Sequence, residues 1–175
     1  LSYIFFSGKA LLEKVDSLFD IFDELLGDSS FGDHKRLVEI IRSAKSDMED
    51  SIVPHGNHYV LSRLQSYQSR LGQFDELTDG ITYYRFLEQL LERVEKDPGE
   101  VAGRFRQVAE RVFTRKNAFF NITATQKDYR KIEKRIGGTV GILSDKDWNV
   151  EEWNLKAVPL NEGFLTASNV QHVGK

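Results

Sequence analysis

Apolar side chains return every three or four residues along most of this chain, a spacing that commits it to amphipathic helices packed on one another. Leu11, Leu12, Val15, Leu18, Phe19, Phe22, Leu25 and Leu26 draw the first stripe; Glu13, Asp16, Asp20, Asp23 and Glu24 take the other face, and Gly27 closes it. Asp33 is placed to cap a second helix carrying Leu37, Ile40, Ile41, Ala44 and Met48. Pro54 must end it, because the residue before a proline avoids the helical region. The spacing predicts a third helix from about His58 to Leu71, on Tyr59, Val60, Leu61, Leu64 and Tyr67, with Gly72 as its breaker. Thr78-Asp79-Gly80 leads into a fourth, on Ile81, Tyr84, Leu87, Leu90, Leu91 and Val94. Asp97-Pro98-Gly99-Glu100 combines a capping carboxylate, a first-turn proline and an acid three residues after the cap. It starts a fifth helix on Val101, Phe105, Val108, Ala109, Val112 and Phe113. Thr125 and Asp128 cap a short helix with Tyr129, Ile132 and Ile136, which Gly137-Gly138 is expected to stop.

Two runs break the helical period. Residues 2–8 and 117–124 are rich in β-branched and aromatic types, and they are predicted to lie side by side in a small antiparallel sheet. The expected class is therefore α+β, helix-dominated with five or more helices. Residues 144–158 hold Asp145, Asp147, Glu151, Glu152 and two tryptophans without a clear period, and read as an interdomain linker. Beyond it, residues 159–175 contain a candidate strand pair around Gly163-Phe164-Leu165 and Asn169-Val170-Gln171-His172-Val173. The expected organisation is a helix-rich domain at 1–143, a linker at 144–158 and the opening strands of a following domain at 159–175. With an apolar run at its start and no initiator methionine, the chain reads as a fragment of something longer.

Composition narrows the function. Hydrophobic residues make up 40% of the chain and the formal net charge is −3, which excludes disordered and low-complexity classes and disfavours a dedicated nucleic-acid binder. The absence of cysteine removes disulfides, thiolate nucleophiles and cysteine-ligated zinc. The run Leu1-Ser2-Tyr3-Ile4-Phe5-Phe6 is too short for a membrane span and lacks the basic stretch of a secretory leader, so no membrane association is expected. The compartment stays open; a soluble protein of the cytoplasm or an organelle matrix fits better than a secreted one.

Conventional catalytic groups are sparse. The four histidines are His34, His55, His58 and His172, and only His55 and His58 are close in sequence. Their spacing could bring two imidazoles to one metal, but neither H-E-x-x-H nor H-x-x-E-H occurs, and Pro54 and Gly56 make the segment a turn. The plainer reading is that Asn57 or His58 caps the third helix. Ser7-Gly8-Lys9 superficially resembles the end of a phosphate-binding loop. It lacks the upstream glycine, and Ala10 stands where magnesium would need a hydroxyl, so a strand-to-helix turn is expected. Asn121-Ile122-Thr123 matches a glycosylation acceptor by chance. No catalytic, cofactor-binding or metal residue is assigned.

Charge is uneven. Between 104 and 135 ten basic residues (Arg104, Arg106, Arg111, Arg115, Lys116, Lys127, Arg130, Lys131, Lys134, Arg135) face Glu110, Asp128 and Glu133. Between 13 and 33 seven acids oppose Lys14 alone. A basic segment can steer a polyanion. Solvated helix faces, or contact between the two segments, account for it equally well, and Phe105, Phe113 and Phe119 sit at core spacing rather than interleaved for base stacking.

Several phrases occur in a telling order. Ser7-Gly8-Lys9-Ala10-Leu11 enters the first helix, Phe31-Gly-Asp33 the second, and Gly56-Asn57-His58-Tyr59 a helix ending in Ser69-Arg70-Leu71-Gly72. Asp79-Gly80-Ile81-Thr82-Tyr83-Tyr84-Arg85-Phe86-Leu87-Glu88, Asn117-Ala-Phe-Phe-Asn-Ile-Thr-Ala and Glu162-Gly163-Phe164 through Gly174-Lys175 follow. In order and spacing these resemble the third domain, and the start of the fourth, of the presequence-protease-like branch of the pitrilysin/insulinase zinc metallopeptidase superfamily. The resemblance implies two halves closing like a clamshell around a peptide, with zinc held by an inverted H-x-x-E-H helix and a distal glutamate of the first domain. It implies an assisting arginine and tyrosine in the last domain. No position here matches either motif. What the resemblance implies for these residues is chamber wall and substrate contact, with peptide substrates and the catalytic half of the same parent chain as partners, and zinc in the parent alone. The alternatives are a stand-alone helical protein-interaction module and a basic-faced nucleic-acid accessory domain.

Overall fold

A computed structural model of the chain describes residues 3–27, 30–148, 154–155, 158–167 and 169–175. Among these, seven α-helices follow in order: α1 (Val15–Gly27), α2 (His34–Ile52), α3 (Gly56–Ser66), α4 (Arg70–Asp79), α5 (Ile81–Lys96), α6 (Pro98–Val112) and α7 (Gln126–Ile142). Single 3-10 turns at Leu12–Lys14 and Arg115–Asn117 complete the regular structure.

The starts of α2, α6 and α7 follow the sequence closely. Asp33 accepts the Arg36 amide at 2.9 Å, Asp97 that of Glu100 at 2.9 Å, and Thr125 that of Asp128 at 3.3 Å, each satisfying an amide that the first helical turn leaves orphaned. Pro98 stands first in α6, where its missing N–H costs nothing. The interior glycines behave differently. Gly72 does not break a helix; it lies in the first turn of α4, whose cap Ser69 accepts its amide at 3.0 Å. A Cβ there would overlap the backbone of Gln65 and Ser66 at the end of α3. Gly137 and Gly138 do not stop α7 either, and a Cβ at either position would meet nothing within 4 Å.

The chain forms two compact units. The first comprises Leu1–Gly32 and Gly103–Val150. Here α1 lies along α7, burying Val15, Phe19 and Ile132 with Ile122 and Ile136 packed around them. The second comprises Asp33–Ala102 and Glu151–Lys175. There α5 packs against α2 and α4, and α4 against α3, around Met48, Tyr59, Ile81 and Leu87. The phenol of Tyr59 is satisfied by Ser51 Oγ at 2.5 Å, so a polar tip is accommodated in an apolar core.

The small antiparallel sheet, and with it the α+β class, is corrected: the described residues contain no strand. Their single β-bridge is parallel, Thr114 with Ser144, closed by the Arg115 amide donating to Ser144 O at 3.0 Å. The described residues of the runs expected as strands form no ladder, and Asn117 ends a 3-10 turn. Their aromatic rings meet instead, with Tyr3 and Phe5 edge-on to Phe119 at 5.6 and 6.5 Å and Phe6 to Phe113 at 5.7 Å. Strand propensity measures fit to a half-buried pleated surface, and an isolated two-stranded ribbon is marginal in water. Phe5 is 74% exposed, so the burial that would turn propensity into a ladder is missing. The candidate pair within 159–175 is likewise not in strands among its described residues. Ser2, residues 149–153, 156 and 157 of the expected linker, and Ser168 lie outside the described residues.

Candidate functional site

The residues that sequence singled out are not drawn into one centre. His55 is the N-cap of α3 without a side-chain capping bond; its Nδ1 lies 3.1 Å from Ser51 O. The expected capping by Asn57 or His58 is thus replaced by a bond back to α2. His58 packs edge-on against Tyr59 at 5.6 Å. His172 sits against Gly56, where a Cβ would overlap its ring. His34 opens α2 near Gly99. Among the described residues no group of three or more His, Cys, Asp or Glu is placed to hold a metal. A catalytic zinc ion needs three protein ligands and an open position, and the described residues offer no such set. Ser7-Gly8-Lys9 is exposed and outside any helix or strand, with Gly8 held close to Leu18 and Phe22. No helix among the described residues is long and apolar enough to cross a membrane.

The charge asymmetry resolves within the first unit. Arg135 on α7 reaches Asp20 at 2.5 Å and Asp23 at 3.4 Å, and its guanidinium lies 5.8 Å over the Phe19 ring. Lys131 pairs with Asp16 at 2.9 Å, and Thr139, fully buried, donates to Asp23. Arg115 and Lys116 pair with Asp145 and Asp147. Much of the basic segment thus faces acids of its own unit. Contact between the two segments, one of the readings open at the sequence level, is what forms.

The most developed polar constellation is in the second unit, and no local pattern announced it. Arg63 on α3 lies between two carboxylates. On its inner side Nη1 donates to Glu76 Oε1 of α4 and to Thr82 Oγ1 of α5, each at 3.0 Å. Glu76 Oε1 also accepts the Thr82 amide at 2.9 Å and the Thr82 hydroxyl at 3.0 Å. A carboxylate from α4 thereby serves an orphaned amide, that of Thr82, at the positive dipole end of α5. The Glu76 side chain is 4% exposed, and its Oε2, tucked against Gly80, has no hydrogen-bond partner among the described residues.

On its outer side Arg63 grips Glu162 with two parallel bonds, Nε to Oε2 at 2.7 Å and Nη2 to Oε1 at 2.9 Å. Tyr67, one turn further along, donates its hydroxyl to the same Oε2 at 2.6 Å. The guanidinium and phenol hold the Glu162 carboxyl well below its ordinary value, at about 2. The Glu162 bond, working against burial, raises Arg63 further above its already high value. Burial, then the bond to Glu162, raises Tyr67. Phe164, two residues on, is flanked by two guanidiniums, Arg85 at 5.3 Å and Arg63 at 6.0 Å from its ring centre. Two later residues also rest on α3: His172 lies on Gly56 and Gly174 on Val60 and Leu64. Such a constellation binds and holds a carboxylate; it contains no nucleophile paired with a base.

Comparison with known proteins supplies the context. The model of the family "Peptidase M-16C associated" matches residues 1–90. Protein HypA of Clostridium perfringens is 26% identical over 173 residues, which is 99% of this chain and 18% of that protein. Presequence protease 1, chloroplastic/mitochondrial, of Arabidopsis thaliana is 23% identical over 175 residues, 99% of this chain and 16% of that protein. The mitochondrial presequence protease of Yarrowia lipolytica is 26% identical over 113 residues, 64% of this chain and 11% of that protein. The chain thus spans less than a fifth of the length of these curated relatives, none above 18%. With the family model covering more than half of its residues, the chain belongs to the peptidase M-16C associated family, as a presequence-protease-like section of such a protein.

Proposed function

We propose that this chain is a non-catalytic section of a zinc metalloendopeptidase that degrades peptides inside an enclosed clamshell chamber, contributing chamber wall and substrate contacts. In this reading residues 1–143 form the helix-rich third-quarter domain, 144–158 the linker and 159–175 the opening of the following domain. Its partners are the catalytic half of the same parent chain and peptide substrates, and zinc belongs to the parent. The observation that carries the reading is the match over 99% of the chain to a presequence protease of which it covers 16%.

The test compares the chain with the full-length reading frame that encodes it. Both are dialysed with zinc, assayed for bound metal and incubated with an unstructured peptide followed by mass spectrometry. The full-length protein is expected to hold zinc stoichiometrically and to cleave in a chelator-sensitive way, and the chain alone to do neither. Stoichiometric zinc with chelator-sensitive cleavage by the chain alone, or a full-length protein inert in both assays, overturns the reading.

A further inference from the structure

We infer that Arg63, Tyr67 and Arg85 form a recognition site for an extended peptide carrying an acidic residue two positions before an aromatic, a site that Glu162-Gly163-Phe164 fills in cis. The inference does not depend on the peptidase reading. Its basis is that the three groups divide two tasks as a peptide-binding site does. The planar guanidinium of Arg63 matches both oxygens of one carboxylate, and Tyr67 adds a third bond to it, fixing position and direction together. Arg85 and Arg63 then flank the ring of Phe164, so the second determinant is an aromatic face. Gly163 between them meets nothing within 4 Å at its Cβ position, so the middle residue is not read.

The receptor side is also built in advance. Arg63 is only 17% exposed and is held from behind by Glu76 and Thr82, bonds that do not involve Glu162. A guanidinium anchored in this way keeps its outer edge presented when the cis segment leaves, which lowers the ordering cost for an incoming carboxylate. The cis ligand, by contrast, lies in a segment with no helix or strand of its own among its described residues, and Leu165 beside it is fully exposed. A ligand on irregular chain over a preformed cationic and aromatic cradle is exchangeable, and a segment of another chain with the same pattern can compete for it.

The experiment uses the whole chain with its cis ligand disabled. In one variant Glu162→Ala and Phe164→Ala are combined; a second ends the chain at residue 157. Circular dichroism checks the helical content of both. A fluorescently labelled peptide spanning residues 158–170 is titrated against each and against the unaltered chain by anisotropy. The expected result is saturable binding to the opened chains, at least tenfold weaker to the unaltered chain. Replacing the peptide's glutamate by glutamine, or its phenylalanine by alanine, is expected to weaken binding at least tenfold. These peptide changes leave the folding of the protein untouched. Tyr67→Phe in the opened chain should weaken binding severalfold. No saturable binding to either opened chain, equal binding to the unaltered chain, or indifference to the glutamate overturns the inference.

Discussion

At the scale of single residues, Arg63 does two jobs of unequal weight. Inwardly it neutralises Glu76, whose carboxylate is almost fully buried; outwardly it holds Glu162, whose side chain is 22% exposed. Removing a partner from a buried pair costs about 3–5 kcal/mol, because the remaining charge is left in low dielectric. Arg63→Met is therefore expected to lower stability by about 3 kcal/mol in urea unfolding, and Glu76→Gln in the same chain to recover part of it. Glu162→Gln should cost less, since its site is nearer solvent. The acid side of the pH profile carries its own signature. A carboxyl depressed in the folded state contributes stability above its unfolded value, here the ordinary 4.5, and loses that contribution as pH falls towards about 2. Glu162 should accordingly contribute fully at about pH 6, progressively less below pH 4.5, and the Glu162→Gln chain should show a flatter fall in stability over that window. Parallel profiles for the two proteins would contradict the assignment of the carboxylate bonds. None of this was legible beforehand. Glu162 and Arg63 are 99 residues apart, and a pair at that separation leaves no mark on local periodicity.

At the scale of elements, the caps were readable because each is a bond across three residues: Asp33, Asp97 and Thr125 each reach the third amide onward. The glycines were not readable, because glycine disfavours a helix by only about 1 kcal/mol and packing overrides that. Gly72 and Gly137 look alike in sequence and are opposite in structure. Gly72→Ala would press a Cβ into the backbone of Gln65, and overpacking against rigid backbone is expected to cost about 1–3 kcal/mol. Gly137→Ala enters open space on α7 with an ordinary backbone conformation, and should stabilise by about 0.5–1 kcal/mol. Thermal melts of the two variants should shift in opposite directions. α4 escaped the sequence reading for a related reason. Its start falls at Ser69, inside what the apolar spacing made a single helix, and its buried residues are Gly72 and Glu76, neither of which belongs to an apolar stripe. The strand-like runs erred the other way: Tyr3, Phe5 and Phe119 have the composition of a sheet without the burial that makes one.

At the scale of the whole molecule, the order of phrases carried more than any single motif, and it led to the family that the comparison bears out. The proposed boundary after residue 143 remains a proposal, and the contacts on either side of it give it a test. Residues 145, 147 and 148 are tethered to the first unit through Arg115, Lys116 and Arg111, while Glu162 and Phe164 are held in the second. Limited proteolysis is expected to cut first between positions 148 and 159, with both flanking stretches retained on larger products. Earlier cleavage inside α5 or α7 would contradict the boundary.

The ionic seam between α1 and α7 also constrains how such a chain can drift over generations. Arg135 serves Asp20 and Asp23 while Lys131 serves Asp16, so a change on one helix alters the selective value of several positions on the other. Charge reversal at position 135 alone sets like charges against each other. The same reversal becomes tolerable once position 20 has become basic, so these sites accept substitution in a preferred order. Positions 16, 20, 23, 131 and 135 should thus vary as a linked set across descendants, leaving a historical trace of a contact that hydropathy does not record.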